Sequence, residues 1–462
     1  MQERSPGFKL FLTGLVGFVL MIPLLMVHGL VSDRQHQARV AQDAIAAGSG
    51  GAQVVSGPVL VIPYEERRVT NDTVNGNAAT RTQTIRKQLF LSPDTHTLQT
   101  ELQPERKKKS LYETVIYLAK MDGKARFVLP DDLSRFGVTR DQLLLGETQI
   151  RFGTSDPRGL RAVADVRVGG KRIELVSGEG VRSSGGTGFN GTFDWSGGRP
   201  LPVEYAYTVR GSRSLTIVPR GGQTDWKVSS TWQHPGFAGS FLPDSSDISS
   251  EGFSARWSVG NLALGQAVVM QEDLPPVGNS GDGGAPSYDR MEDSQVGTSK
   301  TATINMVEPA DVYAQVDRSV KYGFLFIGFT FLAFLLFDVV GGARVAAAEY
   351  LLTGAGLILF FVLLLAFAEV VGFAVAYIVA SAAIIGLLTA YSAAVLGGWK
   401  RAGFIGGLLT VLYMGLYVLL SLEEASLIVG SVTMFFALAG VMYATRNVEW
   451  SKVGREDEAL AA

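Results

Sequence analysis

The sequence contains no cysteine and only four histidines in 462 residues. The absence of cysteine excludes disulfides, thiolate metal sites and cysteine nucleophiles. The four histidines, His28, His36, His96 and His234, lack a metal-ligand spacing such as HExxH. The sequence also lacks a GxSxG elbow and a Walker A loop. We therefore expect no metal, no cofactor and no catalytic residues, and a protein that is not an enzyme.

An excess of charge of one sign is also lacking, since the formal net charge is −2. No stripe of basic and aromatic residues resembles a single-strand platform, so we expect no nucleic-acid partner. Charges are almost absent from two stretches, residues 10–31 and 322–444, whereas the segment between them is ordinary polar protein. With a hydrophobic fraction of 47%, this distribution predicts that the lipid bilayer is a partner of the two ends.

The apolar stretches are long enough to cross a membrane. Leu10–Val31 has about 22 residues, and roughly 20 suffice for a helix to span the hydrocarbon core. The apolar core of a cleavable signal peptide is shorter, so we expect an uncleaved anchor. The C-terminal stretch divides into a bundle of five further transmembrane segments, which with the anchor gives six transmembrane helices in total. The five segments are Tyr322–Val340, Tyr350–Ala368, Val370–Leu396, Phe404–Leu422 and Ala425–Ala444.

Basic residues in the short connections predict the orientation. Arg344, Lys400 and Arg401 lie in connections on the side of residues 1–9 and of the tail, residues 445–462. The connections on the other side contain only acidic charges, Glu369, Glu423 and Glu424. The positive-inside rule then places both termini in the cytoplasm and residues 32–318 in the periplasm of a bacterial inner membrane protein.

Residues 32–318 predict a β-rich domain preceded by a helical stalk, Asp33–Ala47. Alternation such as Val203, Tyr205 and Tyr207 is typical of strands with one buried face, so we expect an antiparallel, sandwich-like architecture. Strands are predicted in Gln53–Pro63, Thr84–Leu91, Leu111–Leu129, Thr148–Phe152, Ala164–Leu175, Val203–Pro219, Asp225–Trp232, Phe253–Val259 and Thr301–Val307. Composition predicts loops of weak order in Asn71–Gln83, Ser183–Gly198 and Pro275–Lys300.

The segment Thr231–Trp257 is the densest in aromatic residues outside the apolar stretches. Its candidate residues are Trp232, His234, Phe237, Phe241 and Trp257. Aromatic side chains dominate cores and interfaces alike. The segment is therefore either part of the folding core or a binding surface for a periplasmic protein or glycan.

Acidic residues in the apolar stretches are the candidates inside the membrane, since ionisable groups there are costly and often functional. Asp338 lies near the cytoplasmic end of its predicted span, and Glu349 and Glu369 lie at interfaces, where all three can reach water. No predicted span has an acid near its centre, as a proton pathway would need. We therefore expect the bundle to be structural.

Short motifs occur in a characteristic order along almost the whole chain. They include Gly57-Pro58-Val59-Leu60, Ser155-Asp156-Pro157-Arg158-Gly159, His234-Pro235, Phe241-Leu242-Pro243, Tyr313, Val320-Lys321-Tyr322, Glu369, Gly372-Phe373, Ala376-Tyr377 and Met442-Tyr443-Ala444-Thr445-Arg446. In this pattern the sequence resembles the CreD family of inner-membrane proteins, described as cell-envelope integrity proteins. It departs from the family pattern at Leu262-Ala263-Leu264 and at Asn447.

The resemblance implies a Gram-negative inner-membrane protein linked to envelope homeostasis and to β-lactam and colicin responses under a two-component regulator. It implies no catalytic residues. Our leading hypothesis is a non-enzymatic envelope-integrity and stress-response factor whose periplasmic domain binds an envelope component. One alternative is a transporter or lipid-handling protein with a groove lined by Asp338 or Thr330. Another is a hydrolase that uses acids such as Asp156, Asp225 or Asp244.

Overall fold

The fold was examined in a computed structural model that describes residues 6–421, apart from residues 75–76, 110–111, 196–198, 279–297, 307–311 and 340–344, and isolated residues after 421. The chain separates into two compact units. One unit, the helical unit, comprises Met1–Arg39 and Ala310–Ala462, and the other, the β unit, comprises Val40–Pro309. Each unit has a large hydrophobic core of its own.

The helices follow the apolar stretches of the sequence. Their bounds are Pro6–Gly48 (α1), Asn261–Leu264 (α2), Val312–Lys321 (α3), Gly323–Val339 (α4), Ala347–Val371 (α5), Phe373–Val395 (α6) and Trp399–Ser421 (α7). Among the described residues, 5 helical stretches are long and apolar enough to cross a membrane: α1, α3 with α4, α5, α6 and α7. They coincide with the first five predicted spans. The sixth predicted span, Ala425–Ala444, lies outside the described residues.

Helix α1 is a single helix that contains both the predicted anchor and the predicted stalk. Leu20, Leu24, Val27 and Val31 are buried at intervals of three and four residues, so they form one apolar stripe that packs within the helical unit. Small residues permit this packing. A Cβ atom on Gly354 of α5 would lie only 2.1 Å from Leu20 Cδ1, so a larger residue there would require the Leu20 side chain to move.

The strands of the β unit form two sheets. Their bounds are Gln53–Val74 (β1), Asn77–Leu91 (β2), Thr95–Lys109 (β3), Tyr112–Phe127 (β4), Thr148–Thr154 (β5), Leu160–Val168 (β6), Lys171–Arg172 (β7), Val176–Glu179 (β8), Thr187–Phe193 (β9), Leu201–Ser212 (β10), Ser214–Val218 (β11), Gln223–Ser230 (β12), Pro235–Gly239 (β13), Ser245–Ser249 (β14), Gly252–Gly260 (β15), Val269–Met270 (β16) and Ala302–Met306 (β17).

The two sheets form a sandwich. The nine-stranded sheet has the order β13-β17-β11-β1-β5-β9-β8, with β2 paired to β1 and β16, and the eight-stranded sheet has the order β14-β15-β12-β3-β4-β10-β6-β7. Side chains from both sheets, such as Phe152 of β5 and Tyr205 of β10, share one core. The predicted combination of a helical membrane bundle with a β-rich domain is confirmed. Pairing is mostly antiparallel, but β1 with β11 and β12 with β3 are parallel because crossovers connect them.

Some local predictions were wrong. Strand β3 was missed, because it buries few apolar side chains, chiefly Leu98 and Leu102, among polar residues. The predicted loop Asn71–Gln83 consists mainly of strand backbone in the β1–β2 hairpin, and Ser183–Gly198 contains β9. Most of the third predicted loop, Pro275–Lys300, lies outside the described residues. The first two of these segments were predicted as loops because their composition is polar, but backbone hydrogen bonds to neighbouring strands hold strands within them.

Candidate functional site

The aromatic segment predicted as core or binding surface belongs largely to the core. Trp257 and Trp232 are 1% and 8% exposed. Trp257 stacks on Trp226 with ring centroids 4.4 Å apart, and Phe237 meets Trp257 edge-on at 5.7 Å. Phe237 and Phe241 are half-buried against the same core. These contacts account for the density of aromatic residues without a ligand.

Hydrogen bonds also occupy the polar atoms of this segment. Trp257 Nε1 donates to the carbonyl of Phe241 at 3.2 Å, and Trp232 Nε1 donates to the carbonyl of His234 at 3.0 Å. His234 is exposed, so it is the one candidate of this segment whose side chain faces outward. Both indoles are therefore fixed to the backbone of their own segment, as buried Trp N–H groups usually are.

The acids predicted in the membrane stretches join helices of the helical unit. Asp338 Oδ1 accepts from Lys9 Nζ at 2.9 Å, and the Asp338 side chain is only 1% exposed. The expectation that Asp338 reaches water is therefore wrong, because Lys9 of α1 takes the place of water. Glu369 accepts from Tyr313 Oη at 3.2 Å and lies 4.0 Å from Arg34 Nε. Both acids tie α1 to other helices of this unit.

An apolar groove lies between α1 and α4. It has a volume of about 360 Å³, and its lining includes Gly14, Gly17 and Gly328. A groove for lipid handling was predicted to contain Asp338 or Thr330. Neither is among the lining residues that the structure describes, and Thr330 is fully buried elsewhere in the unit.

The acids suggested for a hydrolase have structural partners. Asp156 accepts from the backbone N–H of Arg158 at 2.9 Å and pairs with its guanidinium at 2.6 Å, which lowers the pKa of Asp156. Asp225 and Asp244 come together at Ser258, where they accept from its hydroxyl at 2.8 Å and its backbone N–H at 2.6 Å. Each of these carboxylates orders a turn or a strand end.

The eight-stranded sheet has an outer face, directed away from the core, that sequence reasoning missed. In β3 and β4, buried residues alternate with exposed ones, which include Gln99, Glu101, Lys120, Asp122 and Lys124. This face carries two adjoining clefts of about 350 and 610 Å³, and Gln99 and Asp122 line both. We take this outer face as the candidate functional site.

Strand register places a line of residues across the outer face. Gln99 of β3 is opposite both Asp122 of β4 and Lys227 of β12. On one side Lys227 is opposite Arg256, and on the other Asp122 is opposite Ala206, which is opposite Asp165. We call this line the polar row; in order, it consists of Arg256, Lys227, Gln99, Asp122, Ala206 and Asp165.

Most charges around the polar row are paired. Lys120 pairs with Glu101 at 3.3 Å and Lys124 with Glu204 at 3.0 Å. Within the row, Asp165 lies 3.1 Å from Arg172, and Arg256 lies 3.8 Å from Asp225.

Two charges of the row differ from the rest. Asp122 and Lys227 are both exposed, and neither has an ion pair or side-chain hydrogen bond with any residue that the structure describes. They have opposite signs and lie on either side of Gln99. The polar row therefore offers an unpaired anion and an unpaired cation on one surface, with one residue, Gln99, between them.

A further cleft, on the nine-stranded sheet, is lined by charged residues that already form ion pairs within the protein. It has a volume of about 670 Å³ and is lined by Arg86, Lys87, Arg151 and Asp273, among others. These four residues pair with Glu147, Glu66, Glu179 and Arg220, respectively. In the part of the chain that the structure describes, no group of three or more His, Asp or Glu residues could hold a metal.

A buried polar pair lies beneath the outer face. His96 Nε2 and Tyr205 Oη are 2.6 Å apart on neighbouring positions of the core. Burial lowers the pKa of His96 from 6.5 to about 4 and raises the pKa of Tyr205 well above its usual range. His96 is therefore a neutral structural residue at physiological pH.

The family model described as "Inner membrane protein CreD" matches residues 5–451. The chain belongs to the CreD family. It is 29% identical over 461 residues to the inner membrane protein CreD of Escherichia coli K12, with 97% of this chain and 94% of that protein covered. The resemblance predicted from the motifs is thereby confirmed, and the chain is a multi-pass inner membrane protein that contacts the lipid bilayer.

Several of the motifs that resemble the CreD family have structural roles in the part of the fold that the structure describes. Ser155 Oγ accepts from the backbone N–H of Val54 at 2.9 Å, which fixes the start of β1. Gly159 approaches the β10 backbone so closely that a Cβ atom there would lie 2.3 Å from the Arg210 carbonyl oxygen. Tyr313 and Glu369, from two separate motifs, bond to each other. In this CreD-family protein these motif residues therefore maintain the fold, and the polar row lies outside the motifs.

Proposed function

We propose that this protein is a non-enzymatic envelope-integrity and stress-response factor whose β unit binds an envelope component in the periplasm. The helical unit holds the chain in the inner membrane. Family membership supports the link to the envelope. The basic residues of the short connections support the orientation, because Lys and Arg are enriched in cytoplasmic connections.

The single observation that carries the binding function is the outer face with its two adjoining clefts. A sheet face that only needs to be soluble can pair or scatter its charges. Here Asp122 and Lys227 project into the clefts without protein partners that the structure describes, on the rigid framework of β3, β4 and β12. Binding groups on rigid strands are held in position more precisely than those on loops.

The contacts of the candidate acids favour binding over catalysis. Asp156, Asp225 and Asp244 each accept from a neighbouring backbone N–H or hydroxyl, and Asp338 is paired with Lys9. A general acid or base must instead reach a substrate proton within hydrogen-bond distance. The transporter or lipid-handling alternative finds its support in the apolar groove between α1 and α4.

In-cell photocrosslinking tests the proposal. A photoreactive residue replaces Gln99 in the polar row, and a control probe replaces Leu262 of α2, which is 93% exposed in the same unit. The proposal expects a reproducible envelope component captured at Gln99 and absent at Leu262. Equal capture at both positions, or none at Gln99, would contradict it. A third probe at Gly328 reports on the alternative, which expects a specific lipid in the groove.

A further inference from the structure

The two free charges of the polar row have a defined separation. Neighbouring strands lie about 4.8 Å apart, so the Cα atoms of Asp122 and Lys227, with Gln99 between them, are separated by about 10 Å. Their side chains form no ion pair. A ligand that satisfies both must therefore carry an anionic and a cationic group at its two ends.

Neighbouring charges make this pair selective. Glu101, Glu204 and Asp165 are each paired with a basic residue. Within the polar row, a cation therefore finds Asp122 as the unpaired carboxylate and an anion finds Lys227 as the unpaired ammonium, while the exposed Asp247 of β14 also lines the larger cleft beside the row. In the row, a simple cation would bind only Asp122, and a simple anion would bind only Lys227.

Small hydroxyl residues lie beside the charged pair. Ser229 of β12 is opposite Ser254 of β15, and both line the larger cleft together with Ser245 and Ser246 of β14. Their short side chains leave the depression open, and each hydroxyl can donate to a carbonyl or accept from an N–H. These are the groups that a peptide backbone presents.

We propose that the polar row binds the zwitterion of a short peptide, with its ammonium group at Asp122 and its carboxylate at Lys227. An extended chain spans about 3.3–3.6 Å per residue. A free peptide of about three residues therefore matches the separation of the two Cα atoms. This inference rests on the proposed binding function and names the chemical class of the ligand.

The test uses the purified full-length protein and three probes. Triglycine carries both terminal charges, N-acetyl-triglycine lacks the ammonium, and triglycine amide lacks the carboxylate. Isothermal titration calorimetry at low ionic strength measures Kd for each. We expect each blocked peptide to bind about fivefold more weakly than triglycine, as for the loss of one exposed ion pair.

Two variants assign each terminus to its side chain. In Asp122→Asn, triglycine and N-acetyl-triglycine should have the same Kd, while triglycine amide still binds more weakly. In Lys227→Gln, triglycine and triglycine amide should have the same Kd, while N-acetyl-triglycine still binds more weakly. Lys120→Gln is the matched control, because Lys120 lies on the same face but is paired with Glu101. It retains both differences. Since the substitutions are exposed, loss of folding does not explain a charge-selective effect.

Two results overturn the inference. One is that triglycine does not bind at millimolar concentration. The other is that Asp122→Asn or Lys227→Gln weakens the affinity for all three peptides equally. If capture at Gln99 still succeeds in cells, the ligand class is wrong and the binding function stands. If capture at Gln99 also fails, both are wrong.

Discussion

The two faces of the eight-stranded sheet use the same strands in opposite ways. On the inner face, Trp226 and Trp257 stack in a core from which water is excluded. On the outer face, Gln99, Asp122 and Lys227 line open clefts. Because successive side chains of a strand point to opposite faces, one residue of displacement separates core from surface. In this domain the density of aromatic residues therefore marks the core, whereas the candidate site is polar.

The largest expected effect comes from the inner face. Trp257→Ala removes a fully buried indole and should cost about 3–5 kcal/mol of domain stability, because it loses apolar contacts and leaves a cavity. Hydrogen exchange of the core amides in the full chain measures this free energy. Leu262→Ala, at an exposed position of the same unit, is the control and should change it by less than about 0.5 kcal/mol. Equal effects would contradict the assignment of Trp257 to the core.

A pH dependence should follow from His96 on the inner face. Its folded pKa, about 4, lies below its ordinary value of 6.5, so between these values the unfolded chain binds a proton that the folded chain excludes. Stability therefore falls as pH falls from 6.5 to 4, by about 3 kcal/mol in total.

Two variants isolate the contribution of His96. His96→Phe removes the titrating group, so this part of the slope should disappear from hydrogen exchange measured between pH 6.5 and 4. His234→Gln, which removes an exposed histidine, should retain it. An unchanged slope in His96→Phe would show that other groups cause the acid sensitivity.

The hydrogen bond between His96 and Tyr205 should have an intermediate effect. Tyr205→Phe leaves the buried imidazole nitrogen without its partner, at an expected cost of about 1–3 kcal/mol. Tyr207→Phe is the matched control, because Tyr207 is also buried on β10 but has no hydrogen-bond partner among the described residues. The cost of Tyr207→Phe should be clearly smaller in the same hydrogen-exchange measurement. A larger cost for Tyr207→Phe would contradict the role of the pair.

The smallest effect on stability is expected at the outer face. Asp122→Asn and Lys227→Gln remove exposed charges without described partners, so each should change domain stability by less than about 0.5 kcal/mol. Thermal unfolding of the purified variants checks this. A destabilisation comparable with that of Trp257→Ala would show that the polar row maintains the fold, and it would remove the contrast between the two faces.

Composition and periodicity were sufficient to predict the fold class. Charge-free stretches located α1 and α4 to α7, and alternation located strands such as β10. Strand β3 was missed because its outward-facing residues are polar and few of its inward-facing residues are apolar. The polar row depends on the pairing of β3 with both β4 and β12. Pairing between distant segments leaves no local trace in a single sequence, so Asp122 and Lys227 could not be found from the sequence alone.

Two long-range side-chain pairs were missed for the same reason. Lys9 and Asp338 lie 329 positions apart in the sequence, and His96 and Tyr205 lie 109 apart. Asp338 was recognised as a costly charge in an apolar stretch, but its partner was not. The aromatic segment was recognised correctly as dense, and only the register of β12 with β15 shows that Trp257 stacks on Trp226.

Capture from Gln99 in the Asp122→Asn, Lys227→Gln double variant tests the central claim most directly. Capture is compared with that of the otherwise unchanged chain, and hydrogen exchange of the core strands is measured on both proteins. Binding on the outer face predicts that capture is lost while core protection is retained. Full capture in the double variant would contradict the claim that the polar row is the binding surface. So would a double variant that loses both capture and the hydrogen-exchange protection of its core.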